Sequence, residues 1–154
     1  GIQPGDAVLE IGPGLGSLTR YLALAAGTVT AVELDRKLFP ALQAVLAPYK
    51  NVRLVQGDIL ELDPIDLVPA PGYLAVANIP YYITSAVIRH LLEGHPRPRR
   101  LVLTVQREVA DPGGGEGRGA TVVEGAGGVV IRSRCPRVVI DNAVVERAPP
   151  RPAA

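Results

Sequence analysis

Tryptophan and methionine are absent from this 154-residue sequence, cysteine occurs once, and aromatic residues make up only 4% of it. A single cysteine cannot build a disulfide framework, so the chain is not a small cross-linked scaffold. No apolar run approaches the roughly 20 residues that span a bilayer. The opening Gly1-Ile2-Gln3-Pro4-Gly5-Asp6 lacks the basic-then-apolar order of a signal peptide. These absences lead to the expectation of a cytoplasmic chain with no membrane partner. The missing initiator Met implies processing before Gly1 or a piece of a longer protein, and that piece is expected to be monomeric. A charge excess is lacking too. The formal net charge is +1, with ten basic and ten acidic side chains in residues 1–110 and six and five in residues 111–154. Composition alone therefore does not announce a nucleic-acid partner. The one local basic run, His95-Pro96-Arg97-Pro98-Arg99-Arg100, leaves two readings open, a solvated loop and a contact surface.

What the sequence does hold is apolar residues, 47% of the total, too many for a disordered chain and enough for a core. Over the first 110 residues, β-rich runs alternate with helical spacing. Strands are predicted at Ala7–Ile11, Thr28–Glu33, Val52–Gln56, Tyr73–Ala77 and Leu101–Val105. Helices are predicted at Ser17–Ala26, with Leu18, Tyr21, Leu22 and Ala25 on one face and Gly27 as C-cap. A second runs over Leu38–Leu46, with Leu38, Leu42, Val45 and Leu46 inward, and a third over Ser85–Leu92. Asp35 is expected to cap a helix and Asp63 to sit in a turn. This alternation implies an α/β fold with a doubly wound, mostly parallel sheet. Beyond Ala110 the texture changes, because all eight glycines of residues 111–154 fall between Asp111 and Gly128. A helix is not expected there. The runs around Asp141-Asn142, residues 138–145, suit an antiparallel edge hairpin, with a disordered tail as the alternative.

The first predicted strand runs into Glu10-Ile11-Gly12-Pro13-Gly14-Leu15-Gly16. Glycines in a strand-loop-helix unit let the backbone approach a ligand that a Cβ would exclude. The dinucleotide fingerprint G-x-G-x-x-G needs a glycine where Ser17 stands. The tighter spacing here suits S-adenosylmethionine, which has no pyrophosphate to seat on the helix. Glu33 ends the second strand, where a carboxylate accepts from two ribose hydroxyls. Asp58 follows the third strand, placed to accept from an adenine amine. Ligands in open α/β sheets bind at the carboxyl ends of strands, so these features converge on one crevice.

The fourth strand leads into Asn78-Ile79-Pro80-Tyr81, then Tyr82-Ile83-Thr84-Ser85. The exocyclic amine of adenine is a poor nucleophile because its lone pair is delocalised into the ring. Accepting hydrogen bonds from its two protons at the Asn78 side-chain oxygen and the Ile79 carbonyl moves the nitrogen toward sp³ character. Pro80 stiffens the loop and removes a competing donor, and Tyr81 offers a face for stacking on an extruded base. His90, His95 and Cys135 show no metal-ligand spacing, and no metal is expected.

These segments, with Val32-Glu33-Leu34-Asp35, Gln56-Gly57-Asp58-Ile59-Leu60 and Gln106-Arg107-Glu108-Val109-Ala110, resemble the ribosomal RNA adenine N6,N6-dimethyltransferases of the KsgA type. The similarity covers roughly residues 5–110 in order and spacing. It implies a class I methyltransferase (Rossmann-like) fold, S-adenosylmethionine as donor and small-subunit rRNA as partner. It also implies that Gly12 and Gly14 line the methionine end and that Glu33 with Leu34 holds the ribose. Asp58 and Ile59 would read the adenine, and Asn78 would stand between cofactor and target amine. By the same resemblance, residues 1–110 are the methyltransferase core, without the family's upstream cap segment and helical C-terminal domain. Three rivals remain: the 23S rRNA adenine methyltransferases of macrolide resistance, a non-catalytic ribosome-assembly or RNA-binding chain, and a nicotinamide-dependent oxidoreductase.

Overall fold

A computed structural model describes residues 1–106, 118–125 and 129–133. The described residues form seven strands and four helices: β1 (Ala7–Ile11), α1 (Ser17–Ala25), β2 (Thr28–Glu33), α2 (Phe39–Leu46), β3 (Val52–Gln56), α3 (Pro64–Leu67), β4 (Leu74–Ala77), α4 (Tyr81–Glu93), β5 (Arg100–Gln106), β6 (Arg118–Gly125) and β7 (Val129–Ser133). They form one sheet in the order β3-β2-β1-β4-β5-β6-β7. The first five run parallel, and β6 and β7 add an antiparallel hairpin to β5.

Successive side chains of a strand point to opposite faces, and here both faces are covered. Val8, Val29 and Leu74 pack against Leu22 and Ala23 of α1 and against Ala26 just beyond it. Leu9, Ile11, Val32, Ala75 and Leu101 pack against Leu67 of α3 and Val87, Ile88 and Leu91 of α4. Near-continuous apolar runs such as Leu74-Ala75-Val76-Ala77 are what a parallel sheet needs when neither face meets water. The doubly wound α/β expectation holds. Strand order reverses beside β1, since the chain moves outward to β2 and β3 and then crosses back to place β4 on the other side of β1. A crevice opens at the carboxyl ends where the order reverses.

Several local expectations are corrected. Of the four residues predicted inward on α1 only Leu22 is buried; Thr19, Leu22 and Ala23 form the inner face, while Leu18 and Tyr21 are exposed. Glu10, on the same face of β1 as Val8, is buried there too, with Thr19 nearby. In α2, Leu42 and Leu46 point inward but Val45 is exposed. Gly27 is not the helix cap. Ala26 ends α1 in extended conformation, and a Cβ on Gly27 would stand 2.7 Å from the Pro4 carbonyl oxygen, so close packing is what requires glycine there.

The expected roles of Asp35 and Asp63 are exchanged. Asp63 caps α3, its Oδ1 accepting from the Ile65 N–H at 3.2 Å, whereas Asp35 holds a turn by accepting from the Lys37 N–H at 2.9 Å. Helix α4 begins at Tyr81, four residues ahead of the predicted start, because Pro80 supplies an extended N-cap and the Thr84 hydroxyl donates to the Pro80 carbonyl at 3.3 Å. The chain past Ala110 rejoins the sheet through β6 and β7. The hairpin expected at 138–145 lies outside the described residues, as does Cys135.

Candidate active site at the carboxyl ends of β1 to β4

Three backbone hydrogen bonds continue the parallel ladders one residue past the strands. The Asn78 N–H donates to the Ile11 carbonyl at 3.2 Å, that of Gly12 to Val32 at 3.0 Å, and that of Gly57 to Glu33 at 3.0 Å. They stitch the loops after β4, β1, β2 and β3 side by side, each at the ~4.8 Å spacing of neighbouring strands. Every residue predicted to act at a ligand lies at one of these four strand ends, on the loop after it or on the helix that follows.

Gly12, Gly14 and Gly16 all have positive φ, +73°, +60° and +80°. At Gly12 the need is close approach as well as φ. A Cβ there would stand 3.0 Å from the Asn78 carbonyl oxygen and 3.4 Å from Ile79 Cγ2. At Gly14 a Cβ would meet nothing within 4 Å, so there is open space beside that backbone. The Gly14 N–H donates to Glu33 Oε2 at 3.1 Å, and Glu33 Oε1 accepts from the Asp35 N–H at 2.8 Å. The buried Glu33 carboxylate (6% exposed) is thus fixed by two backbone donors, and each oxygen keeps a second lone pair for a ligand. Leu34, next along the chain, is 64% exposed.

Asp58 is half-buried, and its Oδ1 accepts from the Leu60 N–H at 2.9 Å. Ile59 beside it is buried. Asn78 is exposed, and among the described residues no hydrogen bond engages its side-chain amide. Ile79 is buried against the core, Pro80 is exposed, and Tyr81 is the first residue of α4. The structure therefore brings together all the sequence-predicted positions: Gly12, Gly14, Glu33, Leu34, Asp58, Ile59, Asn78, Ile79, Pro80 and Tyr81.

This arrangement fits S-adenosylmethionine. The open space at Gly14 leaves room for a ligand, the fixed carboxylate of Glu33 suits a diol, and Asp58 lies one strand further along. Among the described residues no group of three or more His, Cys, Asp and Glu side chains is placed to hold a metal ion, and no helix is long and apolar enough to cross a membrane.

One feature of the loop that motif spacing does not bring out is the environment of Glu10. Its carboxyl is 2% exposed, and burial pushes its pKa up to about 7, opposed in part by the Thr19 hydroxyl nearby. Neither Glu10 Oε2 nor Thr19 Oγ1 has a hydrogen-bond partner among the described residues. Position two residues before a glycine loop was the signal available in sequence, and it does not report burial.

The profile of the family described as ribosomal RNA adenine dimethylase matches residues 1–112. The chain is 50% identical over 127 residues to the ribosomal RNA small subunit methyltransferase A of Moorella thermoacetica, covering 73% of this chain and 44% of that protein. It is 49% identical over 110 residues to the enzyme of the same name from Dehalococcoides mccartyi, covering 71% and 38%. Among solved structures, the 23S rRNA methyltransferase ErmE superposes with a TM-score of 0.62 at 36% identity, over 70% of this chain and 42% of that one. A dimethyladenosine transferase from Plasmodium falciparum gives 0.60 at 31%, over 71% and 38%. The chain thus spans about two-fifths of the length of the curated relatives it matches.

Proposed function

Because the chain belongs to the ribosomal RNA adenine dimethylase family, we propose that it carries the cofactor- and target-binding core of an enzyme methylating N6 of adenosines in small-subunit rRNA. S-adenosylmethionine is the donor in this reading and supplies, when bound, an electrophilic methyl group on a sulfonium. Residues 1–110 form the core, working as a monomer in the cytoplasm on rRNA or the ribosomal particle. The observation that carries the proposal is the run of loop hydrogen bonds that places the glycine loop, Glu33, Asp58 and Asn78 on four adjacent strand ends.

Each residue has a task derived from its place. Gly12 and Gly14 leave room for the methionine end of the cofactor, and Glu33 accepts from the ribose hydroxyls while Leu34 covers the sugar with apolar surface. Asp58 and the Ile59 backbone pair with the adenine edge. The Asn78 side-chain oxygen and the Ile79 carbonyl accept hydrogen bonds from the two N–H groups of the target amine and localise its lone pair. Gly12 is what lets the Asn78–Ile79 backbone sit against the glycine loop, so the amine is held beside the methionine end. Pro80 keeps the loop free of a competing N–H, and Tyr81 stacks on the extruded base.

Asn78→Ala, made in the full-length protein, tests this. Tritium transfer from labelled S-adenosylmethionine to undermethylated 30S particles is expected to fall by roughly 100-fold or more, the usual loss when one positioned hydrogen-bond partner is removed from a transition state. The far-ultraviolet circular dichroism is expected to stay unchanged. Retained turnover would sink the mechanism. Transfer by the wild type to 50S rather than 30S particles would instead move the target to 23S rRNA, as in the ErmE enzyme. Co-sedimentation with 30S particles without transfer would favour a non-catalytic assembly role.

A further inference from the structure

Tyr82 is 73% exposed. It stands in the first turn of α4, one residue past Asn78-Ile79-Pro80-Tyr81. The turn that carries Tyr82 is anchored at both sides: the Ile83 N–H and the Thr84 hydroxyl each donate to the Pro80 carbonyl, both at 3.3 Å. The ring therefore stands on a fixed support. It lies within four residues of Asn78, no more than about 14 Å of fully extended chain.

Leu15, Leu34 and Leu60, also exposed near these strand ends, are aliphatic. Beside them Tyr82 offers a flat π-face, and α4 has no acidic residue in its first turn to repel a phosphate backbone. An exposed aromatic ring gains from a stacked base.

We propose that Tyr82 is a stacking platform for the nucleotide that flanks the target adenosine, and so a specificity-determining residue distinct from the group that holds the target base. The proposal rests on the RNA-methylation reading above. Two adjacent unpaired nucleotides would then be held in different ways: the target base turned into the crevice beside Asn78, its neighbour laid on Tyr82 outside it. Because every base has a π-face, this platform selects for an unstacked, single-stranded neighbour more than for its identity.

The absence of tryptophan from the chain provides a direct probe. In Tyr82→Trp, prepared on this chain, the new indole is the sole one, and a short single-stranded RNA with two adjacent adenosines is expected to quench its fluorescence. The same RNA with an abasic site in place of the flanking base is expected to leave it unquenched. In the full-length enzyme, Tyr82→Ala is expected to raise KM for the RNA by roughly tenfold, the loss of one stacked base, with kcat and the cofactor Kd unchanged and Tyr82→Phe close to wild type. On the abasic RNA the Tyr82→Ala and wild-type enzymes are expected to converge. Equal KM values for wild type and Tyr82→Ala on intact RNA, or equal quenching by intact and abasic RNA, would overturn the platform while leaving the methylation reading in place. A wild-type enzyme that neither binds S-adenosylmethionine nor transfers methyl would overturn both.

Discussion

Glu10 is the residue whose replacement makes the sharpest physical prediction. In the folded chain its carboxyl sits under α1, 2% exposed, and burial holds its pKa near 7 against an ordinary value of 4.5. Between those two values the folded chain keeps a proton that the unfolded chain has released. The stability that comes from a neutral Glu10 is therefore fully present below pH 4.5, declines as pH rises, and is lost above pH 7. At ~1.4 kcal/mol per pKa unit the full swing is about 3 kcal/mol. Glu10→Gln keeps the shape and stays neutral at every pH. Relative to wild type it is expected to gain less than about 1 kcal/mol at pH 5 and about 3 kcal/mol at pH 8. Every other carboxylate titrates in both proteins and cancels. Any constant effect of the amide on Thr19 shifts both values equally and leaves their difference, about 2.5 kcal/mol, untouched. Urea unfolding at the two pH values measures this as a change in midpoint at constant slope. A Gln-minus-Glu difference that is the same at pH 5 and pH 8 would refute a buried, proton-holding Glu10.

Two further substitutions probe the loop around the crevice. Glu33→Ala removes the acceptor of the Gly14 and Asp35 N–H groups; calorimetry with S-adenosylmethionine is expected to show affinity at least roughly tenfold weaker, and an unchanged affinity would place the ribose elsewhere. Gly12→Ala brings a Cβ within 3.0 Å of the Asn78 carbonyl at a φ of +73°. It is expected to destabilise by about 2 kcal/mol or more in thermal melts, and a wild-type melting temperature would mean the two loops do not touch there.

Sequence carried most of the sheet, and the reasons it failed elsewhere are local. Strands β1 and β2 fall where their β-branched and apolar runs predict them, because a strand buried on both faces tolerates little else, and the edge strand β3 keeps Val52, Leu54 and Val55 partly buried between exposed Arg53 and Gln56. On α1 the helical spacing of large apolar residues favours Leu18 and Tyr21, whereas Thr19, Leu22 and Ala23 are the residues buried. Asp63 precedes Pro64, and proline at the first helical position is a start signal; read that way, the cap of α3 was visible. The early start of α4 was hidden by the motif itself, since Tyr81 to Thr84 read as loop until the Pro80 carbonyl is seen accepting from Thr84. In β6, Gly119 and Gly125 weaken the strand pattern, and pairing with β5 overrides that local preference.

The place of β1 in the middle of the parallel sheet has a consequence for how the chain is made. Val8 pairs with Val29 on one side but with Leu74 on the other. A ribosome adding ~5–20 residues per second delivers that second neighbour several seconds after the first. Until β4 emerges, the glycine loop has no Asn78 backbone to rest on, and the growing chain carries half a crevice. Binding that depends on both halves thus begins only after the whole span from β1 to β4 has left the exit tunnel.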